Sequence, residues 1–105
     1  MFQTADPVIC GITVAEFWAG GRTPAQRSNY AAILGLCRRV PTPEDVWEQA
    51  GRNQALLASS GLTVPLPDTI IATIAIAAGV ELWTYDAHFA VMATLLPGLI
   101  LYQEP

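Results

Sequence analysis

Three acidic residues, Glu16, Asp68 and Asp86, stand where an alternating α/β chain can bring carboxylates together. Asp68 and Asp86 bracket one unit, the run P-D-T-I-I-A-T-I-A-I-A-A-G-V-E-L-W-T-Y-D-A-H-F from Pro67 to Phe89. It reads as an acid opening an apolar helix, a glycine stop, a buried strand, and a second acid just past that strand. A helix packed back along its strand brings its N-terminus to the strand's C-terminal end, where the two carboxylates can meet. Such a pair suits a hard divalent cation, which takes oxygen ligands. Glu16 follows the preceding strand and can face the same crevice, because open parallel sheets bind ligands beyond the carboxyl ends of their strands. Capping is a sufficient reason for any one acid at a helix start. Three acids at equivalent edges of one sheet are less easily explained that way.

The elements that must position these acids follow from the pattern. Pro7 to Thr13 is a short apolar run rich in β-branched residues and predicts a buried strand. Thr13 and Glu16, three apart, match a capping box, opening a short helix that Gly20-Gly21 stops. Thr23 with Pro24 starts a helix over Ala25–Cys37, with Tyr30, Ile33, Leu34 and Cys37 at helical spacing. Arg38-Arg39 sits in a short link, with room for an edge-strand pair. Thr42-Pro43-Glu44-Asp45 repeats the cap-then-proline start, and acids in a first turn suit the helix dipole. Val46, Trp47, Ala50, Leu56 and Leu57 give that helix its apolar stripe. Asp68 is expected to cap the central helix, which is apolar nearly all round and therefore buried. Glu81–Tyr85 is read as the next strand, Ala87–Leu96 as the last helix, and Leu99–Tyr102 as a final strand. Strands alternating with helices predict an α/β domain with a mainly parallel sheet.

Composition bounds the function. A chain of 105 residues makes one small domain, and with 52% hydrophobic residues it has enough apolar surface for a core. No apolar run is long enough to cross a bilayer, and MFQTADP carries no signal-peptide pattern, which points to a cytoplasmic protein without membrane attachment. Cys10 and Cys37 form no CxxC and read as buried thiols. The net charge is −4 and lysine is absent, which argues against a broad basic footprint for nucleic acid. A nucleic-acid enzyme stays open, because a bound metal contacts phosphate directly. The five arginines, at 22, 27, 38, 39 and 52, serve either as solvated helix faces or as contacts to phosphate or an acidic partner. His88, the sole histidine, is a surface residue of a helix N-terminus or a group for proton transfer or phosphate contact.

The segments I-T-V-A-E-F-W-A-G (12–20), P-D-T-I-I-A-T-I-A (67–75) and L-W-T-Y-D-A-H-F (82–89) together resemble the PIN domain, and the branch they look most like is the VapC-type toxin ribonucleases of bacterial toxin–antitoxin pairs. The resemblance covers about Val8 to Leu101. It implies a PIN-like three-layer fold and a metal-dependent endoribonuclease that cleaves RNA phosphodiesters with Mg²⁺ or Mn²⁺. Carried over by position, it makes Glu16, Asp68 and Asp86 the metal-site and catalytic carboxylates. Thr84 matches a threonine that supports the site through its hydroxyl. His88 stands in a segment where a further acid often occurs, and Phe89 matches its core aromatic. The resemblance also implies RNA as substrate, a VapB-like antitoxin as partner and a homodimer.

The family pattern opens with a hydrophobic strand ending in Asp, followed by one or two helices. This sequence begins almost at the later strand, so a shortened PIN-like domain over residues 1–105, without the first strand and helix, is expected. Asp6 precedes its strand and does not take the missing ligand's role. The shortening predicts exposed edges and a chain that is poorly stable or self-associates. It also keeps open a reading of another class, a catalytically inactive PIN-like interaction module that binds an antitoxin or itself, with Trp18, Trp47 and Trp83 as anchors or as core. A Rossmann-like nucleotide binder and a serine hydrolase are weaker, since no G-x-G-x-x-G, P-loop or G-x-S-x-G is present.

Overall fold

Two-residue strands carry the sheet, and the helices supply most of the core. In the computed structural model, which describes residues 2–3, 8–84 and 86–102, the order is β1 (Phe2–Gln3), β2 (Val8–Ile9), α1 (Gly11–Gly20), α2 (Pro24–Gly35), β3 (Arg38–Arg39), α3 (Asp45–Ser59), α4 (Leu66–Ala78), β4 (Glu81–Leu82) and α5 (Ala87–Leu95). The strand order across the sheet is β3-β2-β1-β4. β2 and β3 are parallel, Val8 opposite Arg38 and Ile9 opposite Arg39. β1 runs antiparallel to both β2 and β4, so β2, β3 and β4 point the same way. A parallel bridge joins Leu82 to Leu101. The mainly parallel α/β architecture is as the sequence predicts. β1 is the exception, and two residues are too few to leave a periodic signature.

The strands are shorter than their apolar runs. The run from Pro7, itself outside the described residues, is extended only over Val8–Ile9, and the backbone turns helical at Gly11 with Cys10 in the cap position. The expected Thr13–Glu16 capping box therefore does not open this helix. Thr13 lies inside it, its hydroxyl 3.5 Å from Cys10 Sγ. Strand β4 covers Glu81–Leu82 alone, and Tyr85, expected within it, lies outside the described residues. The final expected strand contributes the Leu101 bridge and backbone bonds from Leu82 to Ile100 and from Tyr102 to Leu82, both 2.9 Å.

The core gathers around α4, whose Thr69, Ile71, Ala72, Thr73, Ile74 and Ala75 are all buried. Leu57 and Val46 of α3, Leu82 of β4, Phe89 and Met92 of α5, and Leu96 and Leu99 pack into the same cluster. Gly79 ends α4 in the left-handed region at φ 68°, a conformation glycine takes without a Cβ penalty. Its N–H and that of Val80 close onto the last α4 carbonyls, and β4 starts at once, folded back along the helix.

Helix α3 differs from its expected stripe. It starts at Asp45, and Thr42 is not its cap. Its buried face is Val46, Ala50, Asn53 and Leu57, spaced by four, three and four residues, while Trp47 and Leu56 face solvent. Asn53 is admitted to that face because Thr73 of α4 accepts its Nδ2–H at 3.0 Å, which removes the cost of an unpaired buried amide. Helix α2 begins with the expected Thr23 cap, here a complete capping box with Gln26, but buries Leu34 alone. Helix α1 buries none of its residues. An edge-on contact between Phe17 and Tyr30, ring centres 5.2 Å apart, ties α1 to α2.

Candidate metal centre

Because β2 and β4 run the same way and α4 runs back against β4, the start of α1, the start of α4 and the residues after β4 lie at one edge of the sheet. Asp86 is placed there by its own helix. Its side chain caps α5, Oδ1 accepting the His88 backbone N–H at 2.9 Å. Its own N–H donates to Thr84 Oγ1 at 3.0 Å. One short loop thus fixes the aspartate from both sides.

Asp68 is held differently. It was expected to cap α4, but that helix begins two residues earlier, at Leu66, with Pro65 as its cap residue. Asp68 is therefore a first-turn acid whose position capping does not explain. Its carboxylate points toward α5. His88 Nδ1 lies 3.2 Å from Asp86 Oδ1 and 3.9 Å from Asp68 Oδ2. One oxygen of each aspartate and a ring nitrogen of His88 all fall within 4.8 Å of one another.

Burial pushes the Asp68 carboxyl above its ordinary value, the adjacent Asp86 charge pushes it the same way, and His88 partly offsets both. The Asp68 side chain is 18% exposed, against 46% for Asp86 and 52% for His88, so Asp68 meets the largest desolvation. Two carboxylates and an imidazole at this spacing, one acid strained by its neighbour's charge, fit a divalent cation. The carboxylate oxygens suit Mg²⁺ and Mn²⁺ alike.

Glu16, the third expected carboxylate, is not in this group. It is exposed in the second turn of α1 and lines a shallow groove with Thr13, Phe17, Gly20 and Tyr30. A groove of about 610 Å³ opens between α3 and α4 and is lined by Glu48, Arg52, Asn53, Thr73, Ile76 and Leu96 among others; Asp68, Asp86 and His88 are not among its walls. The hydrogen bonds among Gln54, Thr69 and Thr73 behind Asp68 went unnoticed in the sequence. The one available signal was three amides, at 49, 53 and 54, on a helix opposite a helix with threonines at 69 and 73.

No family model matches the chain. Ribonuclease VapC21 of Mycobacterium tuberculosis, the same in two strains, is 36% identical over 93 residues. The match takes in 82% of this chain and 64% of the relative, so the chain spans just under two-thirds of the length of the curated relatives it matches. Among solved structures, VapBC2 from Rickettsia felis, bound to a DNA fragment from its promoter, superposes with a TM-score of 0.78 at 24% identity, over 90% of this chain and 72% of that one. VapBC-5 from Mycobacterium tuberculosis, of the VapBC family of toxin–antitoxin systems, superposes with a TM-score of 0.75 at 24% identity, over 90% and 81%. At that identity the two structures speak for the fold, and the sequence match speaks for the lineage. The chain is thus similar in sequence to a VapC ribonuclease and shares its fold with VapBC toxin–antitoxin structures.

Proposed function

We propose that the chain carries the metal site of a VapC-type endoribonuclease, with Asp68 and Asp86 as the carboxylates that hold Mg²⁺ or Mn²⁺ and RNA as the substrate. The observation that carries this reading is the convergence of Asp68, Asp86 and His88 within 4.8 Å at the carboxyl edge of the sheet. When bound, a divalent ion supplies activation of water and stabilises the charge that develops on the phosphate. The chain's own residues set the terms. Asp86 is locked by the α5 N-terminus and Thr84. Asp68 presents a less solvated carboxylate from α4, and His88, more than half exposed, can meet a phosphate oxygen or pass a proton at Nδ1. Glu16 stands outside that 4.8 Å group, and the role proposed for it is that of a water-mediated ligand.

A VapB-like antitoxin is the proposed partner. VapC21 is named a ribonuclease, and both solved relatives are VapBC structures. The surface such a partner can cover is the α1–α2 pair, where Trp18, Ile33 and Leu36 are exposed. That same surface supports the second reading, a PIN-like module that binds an antitoxin or a second copy without cleaving RNA.

Cleavage of RNA in the presence of Mg²⁺ or Mn²⁺ separates the two readings. The nuclease reading expects cleavage that requires the metal and falls at least about a hundredfold in Asp68→Ala, on the scale of removing an electrostatic catalytic group. Equal cleavage by that variant would refute the assignment of Asp68. Absent cleavage, together with antitoxin binding, would leave the interaction module, and metal-independent cleavage would refute the metal site.

A further inference from the structure

Gln54 of α3 reaches across to the start of α4 with both ends of its amide. Its Nε2 donates to the Val64 carbonyl at 2.8 Å, in the loop that leads into the helix. Its Oε1 accepts the hydroxyl of Thr69, the residue after Asp68. Thr69 is fully buried. One turn on, Thr73 Oγ1 donates to the Thr69 carbonyl at 2.7 Å and accepts from Asn53 Nδ2 at 3.0 Å. Gln49 Nε2 completes the line by donating to Asn53 Oδ1 at 3.0 Å.

These bonds lie between two helices that otherwise meet through apolar side chains. Apolar contact is non-directional, so it holds helices together without fixing how one is rotated against the other. Rotation matters here, since each residue of a helix turns its side chain by about 100° and advances it about 1.5 Å. A metal-binding carboxylate has to be placed to within about 0.5 Å. Helix α4 also starts without a side-chain cap, so its first turn has no such anchor of its own. Gln54 supplies one from outside, gripping the loop at Val64 and the turn at Thr69 at once.

We propose that Gln54 and Thr69 are positioning residues for the metal site, holding the first turn of α4 so that the Asp68 carboxylate meets Asp86 and His88. The proposal rests on the reading of Asp68 and Asp86 as metal ligands. A buried threonine hydroxyl needs a partner in any fold, so a purely structural role for the pair is the competing account, and stability alone does not separate the two.

Mn²⁺ binding to the whole chain, measured by calorimetry beside the metal-free melting curve, does. Thr69→Val keeps the side chain's shape and removes the donor. Gln54→Met keeps its length and removes both bonds. Both are expected to weaken Mn²⁺ about tenfold, the scale of an outer partner of a metal ligand, with the far-ultraviolet circular dichroism unchanged. Thr69→Ser, which keeps the hydroxyl, restores wild-type affinity. Gln49→Met, which breaks the same line of bonds at its far end, leaves affinity unchanged. Should Thr69→Val fail to fold, Gln54→Met carries the test alone, because its side chain is only half-buried. Wild-type affinity in either folded variant, with a lowered melting temperature, overturns the positioning role and leaves the metal site standing. Failure of the unaltered protein to bind Mn²⁺ overturns the metal site itself, and the positioning role with it.

Discussion

Asp86 meets His88 twice through a single oxygen: Oδ1 accepts the His88 backbone N–H at 2.9 Å and lies 3.2 Å from the ring Nδ1. The cap of α5 and one arm of the candidate metal centre are therefore the same side chain. A substitution that removes the carboxylate removes both, and its effect on activity would be confounded by its effect on folding.

Asparagine separates the two roles. It caps helices about as well as aspartate but carries no charge, whereas alanine loses the cap at a cost of about 1 kcal/mol. Asp86→Asn is expected to melt near the wild type without metal and to lose the stabilisation that Mn²⁺ gives. For comparison, a ligand at a hundred times its Kd stabilises by about 2.7 kcal/mol. For a domain of this size that is roughly 10–20 °C in Tm. Asp86→Ala is expected to lose both. Thermal melts of the two variants with and without Mn²⁺ check this, and a full Mn²⁺ shift in Asp86→Asn would remove Asp86 from the site.

Asp68 sets the pH dependence. Its folded-state value is raised, first by burial, then by the Asp86 charge, against an opposing effect of His88. Between the ordinary value of 3.8 and the raised one, the folded chain holds a proton that the unfolded chain has released. The stability associated with the neutral carboxyl is thus complete below 3.8 and is lost as pH rises through the raised value. Metal binding runs the other way, since the cation competes with that proton and gains affinity as pH rises. Metal-free melts across the acidic range should show stability falling in this window for the wild type and a flatter profile for Asp68→Asn. A profile identical in both proteins would separate the residue from the effect.

The part of this site that could be read in the sequence is the part written in the order of elements. An apolar helix, a glycine and a short strand imply a reversal, and the reversal alone brings Asp68 and Asp86 to one edge. The start of α1 differs from the expected one because nothing in V-I-C-G-I-T marks where strand gives way to helix. β-branched residues occur in both, and the helix opens at Gly11, inside the run read as strand. The buried face of α3 was misread for a related reason. Trp47 and Leu56 outrank Asn53 in hydrophobicity, yet Asn53 is the residue turned inward, because its partner Thr73 waits on another helix twenty residues away. A partner that distant leaves no trace in local periodicity. The antiparallel β1 is a third case, since a pairing two residues long is decided by neighbours in space.

Thr84 carries its prediction through a single bond. Its hydroxyl accepts the Asp86 N–H at 3.0 Å, in a loop exposed enough for water to replace it. Thr84→Val is therefore expected to cost no more than about 1 kcal/mol of stability, the net worth of one ordinary hydrogen bond. Its effect on the metal should be larger, about tenfold in Mn²⁺ affinity, because the bond orients a ligand. Thr84→Ser should restore the wild-type value. A calorimetric titration in which Thr84→Val binds as tightly as the wild type would show that the cap to His88 orients Asp86 unaided.

The α1–α2 pair leads to a prediction about association. Trp18 is 43%, Ile33 44% and Leu36 79% exposed, while α1 buries nothing of its own. Large apolar side chains scattered singly over a surface need no partner, but a helix pair that exposes several of them and contributes only Leu34 to the buried set is where association is expected. Without an antitoxin, a second copy is the available cover, and the chain is expected to sediment as a concentration-dependent mixture of monomer and dimer, with a melting temperature that rises with concentration. Replacing Trp18 and Leu36 together by serine should shift sedimentation toward the monomer and remove that concentration dependence. It should leave Mn²⁺ affinity intact, since neither residue is among the three that converge at the candidate metal centre. A wild-type chain that sediments as a monomer at every concentration, with a sharp melt that does not move, would mean that the exposed face is tolerated as it stands and that self-association has no part in holding this fold together.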